Sequence, residues 1–279
     1  MKILVLGHKG MLGADLAAIL GRVHDVTGKD IEDFDIVSVS DCRRVVEESG
    51  ANTVINATGY TDVDGCETDE TGCFAVNAEG VKNMALICKR TGIKLIHFST
   101  DYVFDGTKIV PYVEDDICGP VNVYGRSKLK GEEYLRKLSD NYLLLRTSWL
   151  YGKHGRNFVG AILEKAKGGG DLEVVDDQRG SPTYTADLAA AVRVLLEGDH
   201  RGVFHMTNRG SCSWYQFALK ILEYKGIQDV RITPIKSAQL GARASRPGYS
   251  VLSCRKFADA THRTMRFWQV ALQDYMSGT

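Results

Sequence analysis

The sequence predicts an α/β protein in which a doubly wound parallel sheet is followed by a smaller, discontinuous α+β cap. Three observations carry that reading. Short apolar runs alternate with helical patterns through the first half of the chain, the signature of parallel strands joined by crossover helices. The first of these runs feeds a glycine-bearing turn that opens a helix. Beyond residue 147 the rhythm loosens into shorter pieces, broken by Gly168-Gly169-Gly170.

Strand-like runs fall at 2–6, 24–27, 53–57, 94–99 and 142–147, with helical patterns between them at 11–22, 41–49, about 71–91 and 124–138. Ser40 reads as the N-cap of the second helix, since its hydroxyl can accept from an open backbone N–H. Gly50 and Gly92 read as the residues just past the second and third helices, where a left-handed turn costs glycine little. Right-handed crossovers then put helices on both faces of the sheet. A helix follows at 157–167, a short strand at 172–175, a turn-like stretch at 176–182, a helix at 185–197 and a strand at 202–207. Ser213 and Gln216 have the spacing of a capping box for a helix running to Lys225, and 230–234 reads as another strand. The expected division is a dinucleotide-binding domain at 1–150, with part of about 183–207 returning to it, and a mainly substrate-binding domain at 151–279.

Composition narrows the function classes. The 35 Lys plus Arg balance 35 Asp plus Glu, so the basic excess of a nucleic-acid binder is missing. An apolar share of 44% is enough for a sizeable core, and no run approaches the roughly 20 apolar residues of a membrane span. The chain enters strand pattern at once rather than through a signal peptide, so a cytoplasmic protein with no membrane partner is expected. Seven cysteines without a CxxC pair read as reduced packing residues, and seven histidines without HxxxH or HExxH spacing predict no metal site.

The turn after the first strand is Gly7-His8-Lys9-Gly10-Met11-Leu12-Gly13, a GxxGxxG opening a helix. Glycines there let the backbone approach a pyrophosphate, whose charge sits at the helix N-terminus, as in a Rossmann dinucleotide site. Lys29 and Asp30 follow the second strand, where the adenosine ribose lies; the acid would hold a 2′-hydroxyl, whereas His8, Lys9 and Lys29 would accommodate a 2′-phosphate. The cofactor is therefore NADPH or NADH. The fourth strand ends in Ser99-Thr100-Asp101, at the carboxyl edge where open sheets bind ligands. Further on, Tyr124 and Lys128 share one helix face at i,i+4, where the cation would bring the phenol's proton within reach of neutral chemistry.

Together these residues resemble the extended short-chain dehydrogenase/reductases. The runs 56–67 (NATGYTDVDGCE), 99–106 (STDYVFDG), 146–152 (RTSWLYG), 177–183 (DQRGSPT) and 244–250 (ASRPGYS) are similar to the dTDP-4-dehydrorhamnose reductase family over nearly the whole chain. That resemblance implies reduction of the C4 ketone of dTDP-4-dehydro-L-rhamnose to dTDP-L-rhamnose by hydride from NAD(P)H. In it Tyr124 protonates the alkoxide, Lys128 holds the nicotinamide ribose and lowers the Tyr pKa, and Thr100, with Ser99 as the alternative, hydrogen-bonds the sugar oxygen. Asn56, Ala57 and Tyr60 would line the cofactor. Val63, Asp64, Trp149, Asn157 and Arg246 would meet the nucleotide sugar, with Arg246 on the diphosphate and Arg179 and Arg243 as weaker candidates. A core residue closing the fifth strand is the lesser reading of Trp149, and Asn157 reads equally as a helix N-cap. The resemblance allows a homodimer.

Related dehydratases carry Thr-Asp-Glu where this chain has Thr100-Asp101-Tyr102, which counts against dehydration. An epimerase or another nucleotide-sugar reductase would use the same Tyr and Lys. A regulatory subunit resembling the methionine adenosyltransferase β subunit would bind NADP without turnover.

Overall fold

The computed structural model describes residues 1–278. Its first half runs β1 (Lys2–Leu6), α1 (Met11–Leu20), β2 (Asp25–Lys29), α2 (Val39–Ser49), β3 (Thr53–Asn56), α3 (Val63–Cys66), α4 (Glu70–Phe74), a π-helical turn (Ala75–Glu79), α5 (Gly80–Thr91), β4 (Lys94–Thr100), α6 (Val123–Leu138) and β5 (Tyr142–Thr147). The second half runs β6 (Leu150–Tyr151), α7 (Phe158–Lys167), β7 (Leu172–Val175), β8 (Arg179–Gly180), β9 (Thr183–Tyr184), α8 (Thr185–Glu197), β10 (Gly202–His205), β11 (Cys212–Ser213), α9 (Trp214–Lys225), β12 (Ile232–Ile235), α10 (Arg255–Thr261) and α11 (Trp268–Ser277).

The central sheet has six parallel strands in the order β10-β5-β4-β3-β1-β2. Alternation along β1 shows why helices cover both faces. Ile3 and Val5 pack with Leu12, Leu16 and Leu188 from α1 and α8, while Leu4 and Leu6 pack with Val45, Met84 and Leu135 from α2, α5 and α6. Each of these buried aliphatic side chains contributes about 1.5–3 kcal/mol. The cap has its own core, where Tyr151, Phe217, Trp268 and Tyr275 meet around paired strands β7 and β12.

Several local expectations shift. The N-cap of α2 is Ser38, whose Oγ accepts the Asp41 N–H at 3.3 Å, so Ser40 lies inside the helix. The single helix expected at 71–91 is three pieces, because a π-helical turn interrupts it. Strand β2 extends to Lys29, and β12 begins two residues later and ends one residue later than expected. The capping box of Ser213 and Gln216 forms as read. Helices α10 and α11 had no counterpart in the sequence reading.

Candidate active site

The glycine turn after β1 is built for close approach. Gly7 has φ +79°, and a Cβ on it would stand 3.1 Å from Ala57 and Thr58 at the end of β3. A Cβ on Gly13 would collide with the Gly7 carbonyl. Gly10 caps α1 with no side chain, so no side-chain cap satisfies the first-turn N–H groups, which suits an anion. The Leu12 side chain itself is buried in the core. Asn56, fully buried at the end of β3, accepts from the Thr58 N–H and hydroxyl, while its Nδ2 has no partner. Ala57 N–H donates to the Leu6 carbonyl, and Tyr60 is held through both main-chain groups by the Asn77 side chain at 2.9 and 3.0 Å. An uncapped helix, a cradle that any Cβ would fill and an orphaned amide fit a dinucleotide.

At the adenosine end each basic group faces an acid. Lys9 Nζ lies 3.1 Å from Glu32, Lys29 Nζ 3.7 Å from Asp33 and His8 Nδ1 3.8 Å from Asp30. Asp30 also accepts the Lys9 backbone N–H at 2.8 Å, so its carboxylate is fixed against the glycine turn.

Across the sheet edge, Asn122 caps α6 by accepting the Gly125 N–H at 2.7 Å. Tyr124 lies in the first turn of that helix and Lys128 one turn later. Lys128 is buried, with Nζ donating to the Phe98 carbonyl at 2.6 Å, and burial pushes its pKa down to about 8 while Glu132 pulls the other way. The Tyr124 phenol is pushed above its ordinary value by burial, opposed by the Thr100 hydroxyl beside it. The expectation that Lys128 lowers the Tyr pKa is therefore corrected: the ammonium is turned to the Phe98 carbonyl, and desolvation wins. At neutral pH the Tyr124 phenol keeps its proton. Thr100 is buried at the end of β4, whereas the Ser99 hydroxyl is buried without a partner, inside the sheet. Sequence reasoning missed Asn77, which ties Tyr60 to Ser127 of α6 and sits in the π-helical turn, a distortion common at functional sites.

On the substrate side, Asp64 and Arg246 meet each other. Arg246 Nη2 donates to Asp64 Oδ2 at 2.7 Å, Asp64 also accepts the Ala244 N–H, and the guanidinium holds the Asp64 carboxyl below the usual carboxylate range. Val63 opens α3 half-buried beside them. Trp149, at φ +48°, stacks on Trp214 at 3.5 Å and nearly parallel, in a slot where a Cβ on Gly180 would collide with the indole. Asn157 is the N-cap of α7, accepting the Gly160 N–H and donating to the Gly152 carbonyl, so its amide is engaged at the start of that helix. A groove of about 280 Å³ runs from Tyr102 and Arg246 to Phe158, Gln178 and Trp214. Arg179 turns to Ser211 at 3.1 Å.

A family profile described as the RmlD substrate binding domain matches residues 1–279. The chain belongs to this RmlD family. Among members similar to it, the dTDP-4-dehydrorhamnose reductase of Mycobacterium tuberculosis is 39% identical, covering 97% of this chain and 91% of that protein. The dTDP-4-keto-6-deoxy-D-glucose reductase of Streptomyces niveus is 37% identical over 96% of this chain and 94% of its own length. The crystal structure of the Bacillus anthracis dTDP-4-dehydrorhamnose reductase in complex with NADP superposes with TM-score 0.97 at 36% identity, covering 100% of both chains. Among the described residues no helix is long and apolar enough to cross a membrane, and no cluster of His, Cys, Asp or Glu could hold a metal ion.

Proposed function

We propose that the chain reduces the C4 ketone of dTDP-4-dehydro-L-rhamnose to dTDP-L-rhamnose with NADPH or NADH. The observation that carries this reading is a protonated phenol, Tyr124, set beside the Thr100 hydroxyl and one turn from a buried lysine, opposite an empty-capped glycine turn. The reduced nicotinamide, when bound, supplies hydride to the ketone carbon. Tyr124 gives its proton to the ketone oxygen as negative charge develops there, Thr100 hydrogen-bonds that oxygen, and Lys128 takes the ribose hydroxyls. The main chain of Gly7, Gly10, Met11, Leu12 and Gly13 takes the pyrophosphate, with Asn56, Ala57 and Tyr60 along the dinucleotide. Lys9, Lys29 and Asp30 take the adenosine ribose. Val63, Asp64, Trp149 and Arg246 meet the nucleotide sugar, and 151–279 is the part that mainly binds it.

The experiment follows nicotinamide absorbance with dTDP-4-dehydrorhamnose and each reduced cofactor in turn. Turnover is expected with both, with kcat/KM favouring NADPH by roughly tenfold or less, since every basic group at the adenosine end already faces an acid. Binding of cofactor with negligible turnover would instead support a regulatory subunit. Because the Streptomyces relative is named for dTDP-4-keto-6-deoxy-D-glucose, that sugar belongs in the same assay, and preferential turnover of it would replace the rhamnose reading.

A further inference from the structure

Next to Thr100 stands a carboxyl that the mechanism above does not use. Asp101 is 2% exposed, and among the described residues its Oδ2 makes no hydrogen bond of ordinary length, although the Ser250 hydroxyl stands near the carboxyl. Its other oxygen lies 3.1 Å from Thr100 Oγ1, and the Tyr102 N–H donates to that same Oγ1 at 3.1 Å. The groups facing the carboxyl are Thr100 at the end of β4, Ser250 from the 244–250 loop, and the phenols of Tyr102 and of Tyr124 on α6. Among the described residues no cation compensates it, because Arg246 is committed to Asp64 and faces the Tyr102 phenol, and Lys128 is committed to the Phe98 carbonyl. An ionised Asp101 would be a buried charge without a countercharge, which is costly.

We infer that Asp101 is a positioning residue for the reduction, its own proton directing the Thr100 hydroxyl at the substrate oxygen. The argument is a count of hydrogens. A threonine hydroxyl has one proton and two lone pairs. The Tyr102 N–H occupies one lone pair. When Asp101 is a neutral acid it donates to the second, and the single Thr100 proton is left to point into the cleft as a donor. When Asp101 is ionised, Thr100 spends its proton on the carboxylate and offers the cleft only a lone pair, which competes with the substrate for the Tyr124 proton. A ketone oxygen gathering negative charge needs donors, so the neutral acid is the productive state. Burial pushes the Asp101 carboxyl up to about 7, against the pull of the Ser250 and Thr100 hydroxyls, so the switch between the two states falls near neutrality.

This inference rests on the reductase reading, and its test separates the two. In wild type, kcat/KM for ketone reduction should fall about twentyfold between pH 6 and pH 8, about tenfold of it from the Asp101 midpoint and about twofold from Lys128. In Asp101→Asn, whose amide can donate to Thr100 at every pH, that ratio should shrink below about threefold, leaving the later decline that Lys128 deprotonation causes. The same limb persisting in the variant would overturn the inference, as would a variant that is folded, binds cofactor and is inactive at every pH. A second measurement needs no substrate. Difference infrared spectra of wild type minus Asp101→Asn should show a protonated-carboxyl band at pH 6 that disappears on titration, and Thr100→Val should move its midpoint upward by removing a bond to the ionised form. An ionised Asp101 at pH 6, or a midpoint indifferent to Thr100→Val, would sink the proposal even if the enzyme turns over. A wild type without turnover but with the coupled titration would fault the reductase reading alone.

Discussion

At the residue scale the site is a contest between desolvation and hydrogen bonding. Burial raises Tyr124 and lowers Lys128, so at neutral pH the phenol keeps its proton while the lysine titrates from about 8. Tyr124→Phe should therefore keep cofactor affinity but lose at least ~10²-fold in kcat, the low end for a general acid, as read by turnover and cofactor titration side by side. Near-normal turnover would remove Tyr124 from the mechanism. The buried Asp101 has a consequence for stability as well. Its folded pKa, about 7, lies above the ordinary 3.8, so between those values the native state holds a proton that the unfolded chain has released. Stability then falls as pH rises through that window, by a few kcal/mol at most, and is level on either side. Asp101→Asn is free of this loss, so its Tm relative to wild type should climb from pH 4 to pH 7 and then stay constant; a difference that does not change with pH would contradict the shift. The residue types and spacing of Thr100, Tyr124 and Lys128 were legible in the sequence. The direction of the Tyr124 shift was not, because it depends on which acceptor the Lys128 ammonium finds.

At the element scale, legibility followed the capping signals. Helices ending at Gly50 or Gly92, or opening on the Ser213 capping box, were readable, since each signal is a local backbone requirement. Helices α10 and α11 have Cys254 and Phe267 at their N-cap positions, neither making a side-chain cap bond, and the first is only seven residues long, so neither announces itself. The π-helical turn at Ala75–Glu79 was invisible for a different reason: the residue it adds shifts the helical phase without changing composition. That turn is nevertheless what brings the Asn77 carbonyl against Gly131 of α6, close enough that a Cβ there would collide with it. Gly131→Ala gains about 1 kcal/mol of helix propensity, but the obstructing atom is backbone and cannot step aside, so a net loss of about 1–2 kcal/mol is expected. Thermal denaturation should show a lower Tm, together with weaker cofactor binding as α6 and its Lys128 are displaced. A variant as stable as wild type would mean that α6 slides freely over the turn.

At the scale of the whole molecule, the segment at 244–250 fastens the cap to the sheet domain beside the site. Its Ser245 carbonyl accepts from Asn122 at the start of α6, its Gly248 carbonyl and Ser250 N–H pair with Arg179, and Arg246 bridges to Asp64 across 182 residues of sequence. Such contacts were beyond the sequence reading, which placed Asp64 and Arg246 separately on the substrate but could not see them meet. Their pairing changes what a substitution tests. Asp64 is 40% exposed at its side chain and Arg246 18%, so the pair is partly screened and is worth about 1 kcal/mol or less to stability. In the proposed function its larger role would lie in the groove that it lines with Tyr102, where the guanidinium's planar fork would meet the diphosphate. Arg246→Ala should thus leave Tm within a few degrees of wild type and the cofactor dissociation constant unchanged, while raising KM for the dTDP-sugar by tenfold or more. A keto-sugar lacking the diphosphate should be turned over equally by both proteins. Equal losses with the two substrates, or a large fall in Tm, would show instead that Arg246 serves to hold the cap in place.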